Sequence, residues 1–150
     1  MLLLRGTGDD TSPRVDWRSV QSPLHSRSRV IRFVVLVSGS GSNLQALIDR
    51  RDPSVDIVGV VSDRVDASAL ERARVAGIAD RWVPWGPDRV EATRRMVSVI
   101  QDLGAQAVVL AGFMRVLSSD AITAFPWRIV NVHPSLLPAF PGANAVSDAL

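Results

Sequence analysis

The chain has 150 residues, 47% of them hydrophobic and 21% charged, with a formal net charge of +2 and no cysteine. That is room for one domain with a real core, and it excludes disulfides, thiolate metal sites and a cysteine nucleophile. All 17 basic side chains are Arg, so nothing titrates through the alkaline range and the pI near 10.8 overstates a small charge excess; with the Arg residues scattered among Asp, no nucleic-acid partner is expected.

Residues 1–30 read as a disordered leader, rich in Ser, Arg, Asp, Gly and Pro and without a period of 2 or 3.6, and His25 within it reads as a solvated tail residue. A translation start nearer Val30 would open the domain directly on a strand. MLLLRG is too short for a secretory signal, and apolar runs such as 105–112 are too short to span a bilayer, so a cytoplasmic protein without a membrane partner is expected.

From residue 31 the pattern alternates. IRFVVLV (31–37) is the continuous β-branched run of a strand buried on both faces. NLQALIDRR, from residue 43, sets Leu44, Leu47 and Ile48 on one helical face, with Ser42 or Asn43 as the expected cap. Strands follow at 55–62, 80–85, 105–112 and 128–133, and helices at 66–78, 88–104 and 118–125, with Gly77 and Gly104 closing two of them. Strict alternation predicts an α/β protein with a mainly parallel sheet flanked by helices, which gathers ligands at the carboxyl ends of its strands. Those ends hold residues 39–43, Asp63, residues 112–117 and residues 131–142.

The turn SGSGSN after the first strand aims backbone N–H groups and a helix N-terminus at one point, an arrangement suited to phosphate. A nucleotide P-loop is excluded because the chain lacks Lys. A dinucleotide fingerprint has Gly39 and Gly41, and Asp63 at about the distance of a ribose-binding acid, but Leu44 stands where a third small residue belongs. The plain alternative is that the glycines only permit a tight turn. Ser42 and Asn43 favour a phosphate, since both add side-chain donors.

NVHPSLLPAFPG (131–142) is the stronger constellation. Asn131 and His133 are two apart and face one side of an extended strand, ahead of a loop stiffened by Pro134, Pro138 and Pro141. An amide donor beside an imidazole suits a developing oxyanion and a moving proton, as in acyl-type transfer. AGFMRVL (111–117) adds an apolar shelf with one Arg at another strand end.

Taken together, VVLVSGSGSNLQALI, ALERARVAGI, VVLAGFMRVLS and NVHPSLLPAFPG resemble the phosphoribosylglycinamide formyltransferase family, folate-dependent enzymes of purine biosynthesis, from about residue 33 to residue 150. Methionyl-tRNA formyltransferase and formyltetrahydrofolate hydrolase share the Asn-x-His-Pro-Ser pattern; SGSGSN and AGFMR argue against those relatives. The resemblance implies a Rossmann-like formyltransferase fold over 31–150, with 10-formyltetrahydrofolate as co-substrate, no metal, small-molecule partners and an oligomeric state that the motifs do not specify. It implies that Gly41, Ser42 and Asn43 bind the ribose 5-phosphate, and that Arg89, Met114, Arg115, Val116, Leu117 and Asn131 contact folate. Asn131 would steady the formyl oxygen while His133 acts as proton donor. The substrate amine would attack the formyl carbon, and tetrahydrofolate would leave protonated at N10. Each preorganised donor to the charged transition state is worth about 3 kcal/mol.

Two departures qualify the resemblance. The family completes its His and Asn with a later Asp, and the chain stops at Leu150, so the last strands are expected to be missing and activity to be much reduced. Asn144 stands where the family commonly carries His, and an amide cannot carry the proton. The competing readings are an inactive module that keeps the ribonucleotide-phosphate site, and a dinucleotide oxidoreductase domain.

Overall fold

The computed structural model describes residues 30–132. The expected leader, apart from Val30, lies outside them, as do His133, the proline-stiffened loop and Asn144. Among the described residues, nine elements alternate between strand and helix: β1 (Ile31–Val37), α1 (Ser42–Arg50), β2 (Val55–Ser62), α2 (Ser68–Val75), β3 (Asp80–Trp82), α3 (Arg89–Asp102), β4 (Ala107–Ala111), α4 (Ser119–Ala124) and β5 (Ile129–Val132). Every strand pair is parallel and the order is β3-β2-β1-β4-β5. This is the expected α/β layout with helices on both faces.

β1 is central, and its residues sort by parity into two cores. Phe33, Val35 and Val37 pack with Leu44 of α1 and Leu70 of α2, while Val34 and Leu36 pack with Met96 and Ile100 of α3 and Phe125. A continuous apolar run is therefore what a strand with helices on both sides requires. Leu36, Leu44 and Met96 are fully buried, each contributing about 1.5 to 3 kcal/mol by leaving water. β2 keeps pace only through a register shift: Phe33 pairs with Ile57 but Val34 with Gly59. Ile57 and Val60, three apart, consequently share the α1 side, while Val58 and Val61 share the other.

Element ends differ modestly from the sequence pattern. β3 stops at Trp82, short of residue 85, since Pro84 brings no N–H to the ladder. α1 starts at Ser42 with Gly41 as its N-cap and no side-chain cap bond, so the expected capping by Ser42 or Asn43 is not observed. Gly41 is left-handed (φ 74°) and its carbonyl already accepts the Gln45 N–H (2.9 Å), which carries the chain into the helix before either side chain is reached.

Candidate active site

β1 connects through α1 to β2 on one side, whereas β4, reached through α3, lies on β1's other side. The loops after β1 and β4 diverge there and open a crevice, the usual ligand position in such sheets. One wall is the turn at 38–43 and the other is the segment 112–118.

The turn is packed tightly against α2. A Cβ at Gly41 would lie 2.7 Å from Ala69 Cβ and 2.9 Å from Ala69 Cα, so both its conformation and its surroundings demand glycine. Gly39, by contrast, has open space around it. Among the described residues, no partner is found for the N–H groups of Gly41, Ser42, Asn43 and Leu44, the orphan donors of a helix start. Ser42 and Asn43 are exposed. The arrangement can accept an anion from backbone donors alone.

The second wall is tied to the first through Ser38. Its N–H donates to the Gly112 carbonyl (3.1 Å), and its hydroxyl oxygen accepts the Met114 N–H (2.9 Å). Further along, Thr93 of α3 is buried; its Oγ1 accepts the Ser118 N–H (3.0 Å) and donates to the Arg89 carbonyl (2.8 Å). Trp85 meets Phe113 edge to face at 5.7 Å between ring centroids. These ties fasten the first turn of α3, which Arg89 opens, to the end of the loop at Ser118. Met114 and Val116 are 65% and 71% exposed, an apolar surface facing solvent, while Leu117 joins the α3 core. Among the described residues, no partner is found for the N–H groups of Arg115, Val116 and Leu117. An apolar shelf edged by unpaired backbone donors fits a flat heteroaromatic ring with polar edges.

Asp63 lies beneath the shelf, at the end of β2. Its side chain is 1% exposed, and Oδ2 accepts Arg115 Nε at 2.6 Å while Oδ1 is buried with no partner among the described residues. A carboxylate so enclosed and engaged is not presented to a ribose, which removes the acid from the dinucleotide reading. Asn131 sits on β5 opposite Leu110 and is exposed, on the face that Ile129 turns to the α3 core. It stands level with the next-to-last residue of β4, the strand that leads into the shelf. The structure thus brings together Gly41, Ser42, Asn43 and residues 114–117 around one crevice, while Arg89 opens α3 and Asn131 stands on β5, the strand beside β4. Ser38, Thr93 and Arg72 were not singled out from the sequence; a polar residue closing an apolar strand was the only signal for Ser38.

The perturbed carboxyls stand outside the two walls, though one of them, Asp120, is held by Ser118 at the end of the second wall. The Ser118 hydroxyl and then Arg94 hold the Asp120 carboxyl below its usual range, the Ser54 hydroxyl and N–H do so for Asp52, and Arg64 does so for Asp66. No group of three or more His, Asp or Glu converges as a metal site among the described residues. A groove of about 1090 Å³ lies at the amino ends of the strands, lined by Ile31, Phe33, Ile48, Val55, Val109 and Val130. Its size does not mark the site: none of the turn or shelf residues lines it, and the convergent backbone donors are at the opposite end.

The fold and the crevice define a class. The chain belongs to the formyl transferase family, whose family model matches residues 31–150. It is 42% identical over 125 residues to the phosphoribosylglycinamide formyltransferase of Escherichia coli K12, a match over 80% of this chain and 59% of that protein. It is also 42% identical over 124 residues to the human trifunctional purine biosynthetic protein adenosine-3, covering 79% of this chain and 12% of that one. Among solved structures, glycinamide ribonucleotide transformylase 1 of Symbiobacterium toebii superposes with a TM-score of 0.77 at 43% identity, over 85% of this chain and 63% of the other. The chain thus spans less than two thirds of the length of the relatives it matches. The resemblance carried by the sequence motifs is borne out at the level of family and fold.

Proposed function

We propose that the chain carries the phosphate-facing and folate-facing walls of a phosphoribosylglycinamide formyltransferase, which moves a formyl group from 10-formyltetrahydrofolate to the amine of the ribonucleotide. The observation that supports this most is the pairing, across one crevice, of the donors at residues 41–44, which have no partner among the described residues, with the exposed apolar shelf at Met114 and Val116. In this reading Gly41, Ser42 and Asn43 take the phosphate, and Arg89, Met114, Arg115, Val116 and Leu117 hold the folate. The folate supplies the formyl group. Asn131 donates its amide to the formyl oxygen as charge builds there, and His133 manages the proton; in the sequence pattern the two stand two apart at the end of one strand segment. The metabolic character of the relatives supports a cytoplasmic location and small-molecule partners, and the reading assigns no metal.

The test is ribonucleotide-dependent release of tetrahydrofolate by the purified protein. Asn131→Ala is expected to lower that rate by about 10²-fold, the usual cost of removing one oxyanion donor. A rate that ignores the ribonucleotide, or that Asn131→Ala leaves intact, would overturn the assignment.

A further inference from the structure

The turn is shaped from behind by Arg72 of α2. Arg72 Nε donates to the Ser40 carbonyl (2.8 Å), and its Nη1 donates to Gln45 Oε1 (3.0 Å). Gln45 Nε2 in turn donates to Asp49 Oδ1 (2.9 Å), so the amide's orientation is fixed from both ends. One residue earlier, the Ala69 N–H donates to the Gly39 carbonyl (3.1 Å). Two successive carbonyls of the turn are therefore held toward α2.

That has a directional consequence. In a trans peptide the carbonyl and the next residue's N–H point in opposite directions. Holding the Gly39 and Ser40 carbonyls toward α2 turns the N–H groups of Ser40 and Gly41 away from it. The Gly41 carbonyl is engaged by Gln45 N–H, so the donors of Ser42 and Asn43, both exposed residues, continue the sequence in the open first turn of α1. The guanidinium also places a permanent positive charge behind these donors: Arg72 Cδ is 3.4 Å from where a Gly41 Cβ would stand. In a chain without Lys, that charge complements a phosphate without touching it.

We propose that Arg72 is a positioning residue for phosphate recognition, orienting the Ser40–Gly41 peptide so that the turn presents its donors to a phosphate monoester. The inference rests on the phosphate reading of residues 41–43 given above. Its partner Gln45 is a brace, holding the guanidinium plane at the angle that Ser40 requires.

The experiment is a titration of the 150-residue chain with ribose 5-phosphate, followed through the backbone amide resonances of residues 40–44, and in parallel with a stable formyl-folate analogue. Arg72→Met keeps the alkyl stem and removes the donors. It is expected to weaken ribose 5-phosphate by about 10- to 100-fold, the equivalent of one hydrogen bond to a charged group. Affinity for the folate analogue and the thermal midpoint are expected to stay as in the unsubstituted chain; a merely structural role would lower all three together. Where Arg72→Met fails to fold, Arg72→Lys gives the same comparison, retaining the charge without the planar fork and losing about threefold to tenfold in phosphate affinity alone. Phosphate affinity unchanged by these substitutions, with the unsubstituted chain binding normally, would overturn the positioning role and leave the phosphate site standing. Absence of any phosphate response in the unsubstituted chain would overturn the phosphate site and the positioning role with it.

Discussion

The two walls of the crevice are built by opposite means. The turn at 38–43 is made of backbone: a left-handed glycine, unpaired helix-start donors, and carbonyls drawn back onto α2. The shelf at 112–118 is made of side-chain ties, from Ser38 after β1, Asp63 after β2 and Thr93 on α3. A wall made of a few consecutive residues braced by the one helix behind it depends on each of those residues. A wall assembled from three distant elements holds its shape only while the whole sheet does. The turn should therefore fail at single positions, and the shelf should weaken by degrees.

The sharpest break is at Gly41. Gly41→Ala introduces a side chain into a left-handed conformation and against Ala69 at once, and is expected to cost about 3 kcal/mol, read as a lowered urea midpoint, and to abolish phosphate binding. Gly39→Ala is the control, with open space around it, and is expected to shift stability by less than about 0.5 kcal/mol. Equal costs at the two glycines would erase the distinction drawn for the turn.

The shelf is tested next. Asp63→Ala removes a buried acceptor and releases Arg115; because Arg115 is 45% exposed and water can take over its donors, the expected loss is about 1 to 2 kcal/mol rather than that of a fully buried pair. Weakened binding of a formyl-folate analogue should accompany it, with phosphate affinity retained. Thr93→Val keeps shape but leaves the Ser118 N–H without its acceptor, for about 1 kcal/mol in the same denaturation experiment. A shelf variant that disturbed the phosphate site as strongly as its own ligand would show the two walls to be one unit.

The smallest effect is acidic. Asp120 titrates below its usual value because the Ser118 hydroxyl and Arg94 favour its ionised form. A carboxyl depressed by folding stabilises the fold above its unfolded pKa and loses that contribution as pH falls through the folded one. Stability should therefore decline slightly in acid below the ordinary carboxylate range, and Asp120→Asn should flatten that part of the profile. A steeper acid decline in the variant would reverse the sign.

The contrast between the walls also explains what could be read from the sequence. The alternation of elements was legible throughout, because runs such as IRFVVLV and the spacing of Leu44, Leu47 and Ile48 are local signals. The turn was legible for the same reason: Gly41, Ser42 and Asn43 are consecutive. Its cap was misassigned, since Ser42 and Asn43 have the composition of caps but the left-handed glycine ahead of them starts the helix first. The supports of both walls were not legible. Met114 reaches Ser38 across 76 residues, Arg115 reaches Asp63 across 52, and Arg72 reaches Ser40 across 32; no period or motif encodes such distances. Asp63 was noticed, but for a ribose, because its position after β2 is visible in the sequence and its burial under Arg115 is not.

The most direct test of the crevice is a pair of amide-resonance titrations on the 150-residue chain, one with glycinamide ribonucleotide and one with a stable formyl-folate analogue. The account predicts that the ribonucleotide moves Gly41, Ser42 and Asn43, and that the folate moves Met114, Arg115, Val116 and Leu117, each largely sparing the other wall. Both ligands perturbing the same wall, or neither perturbing either, would contradict it.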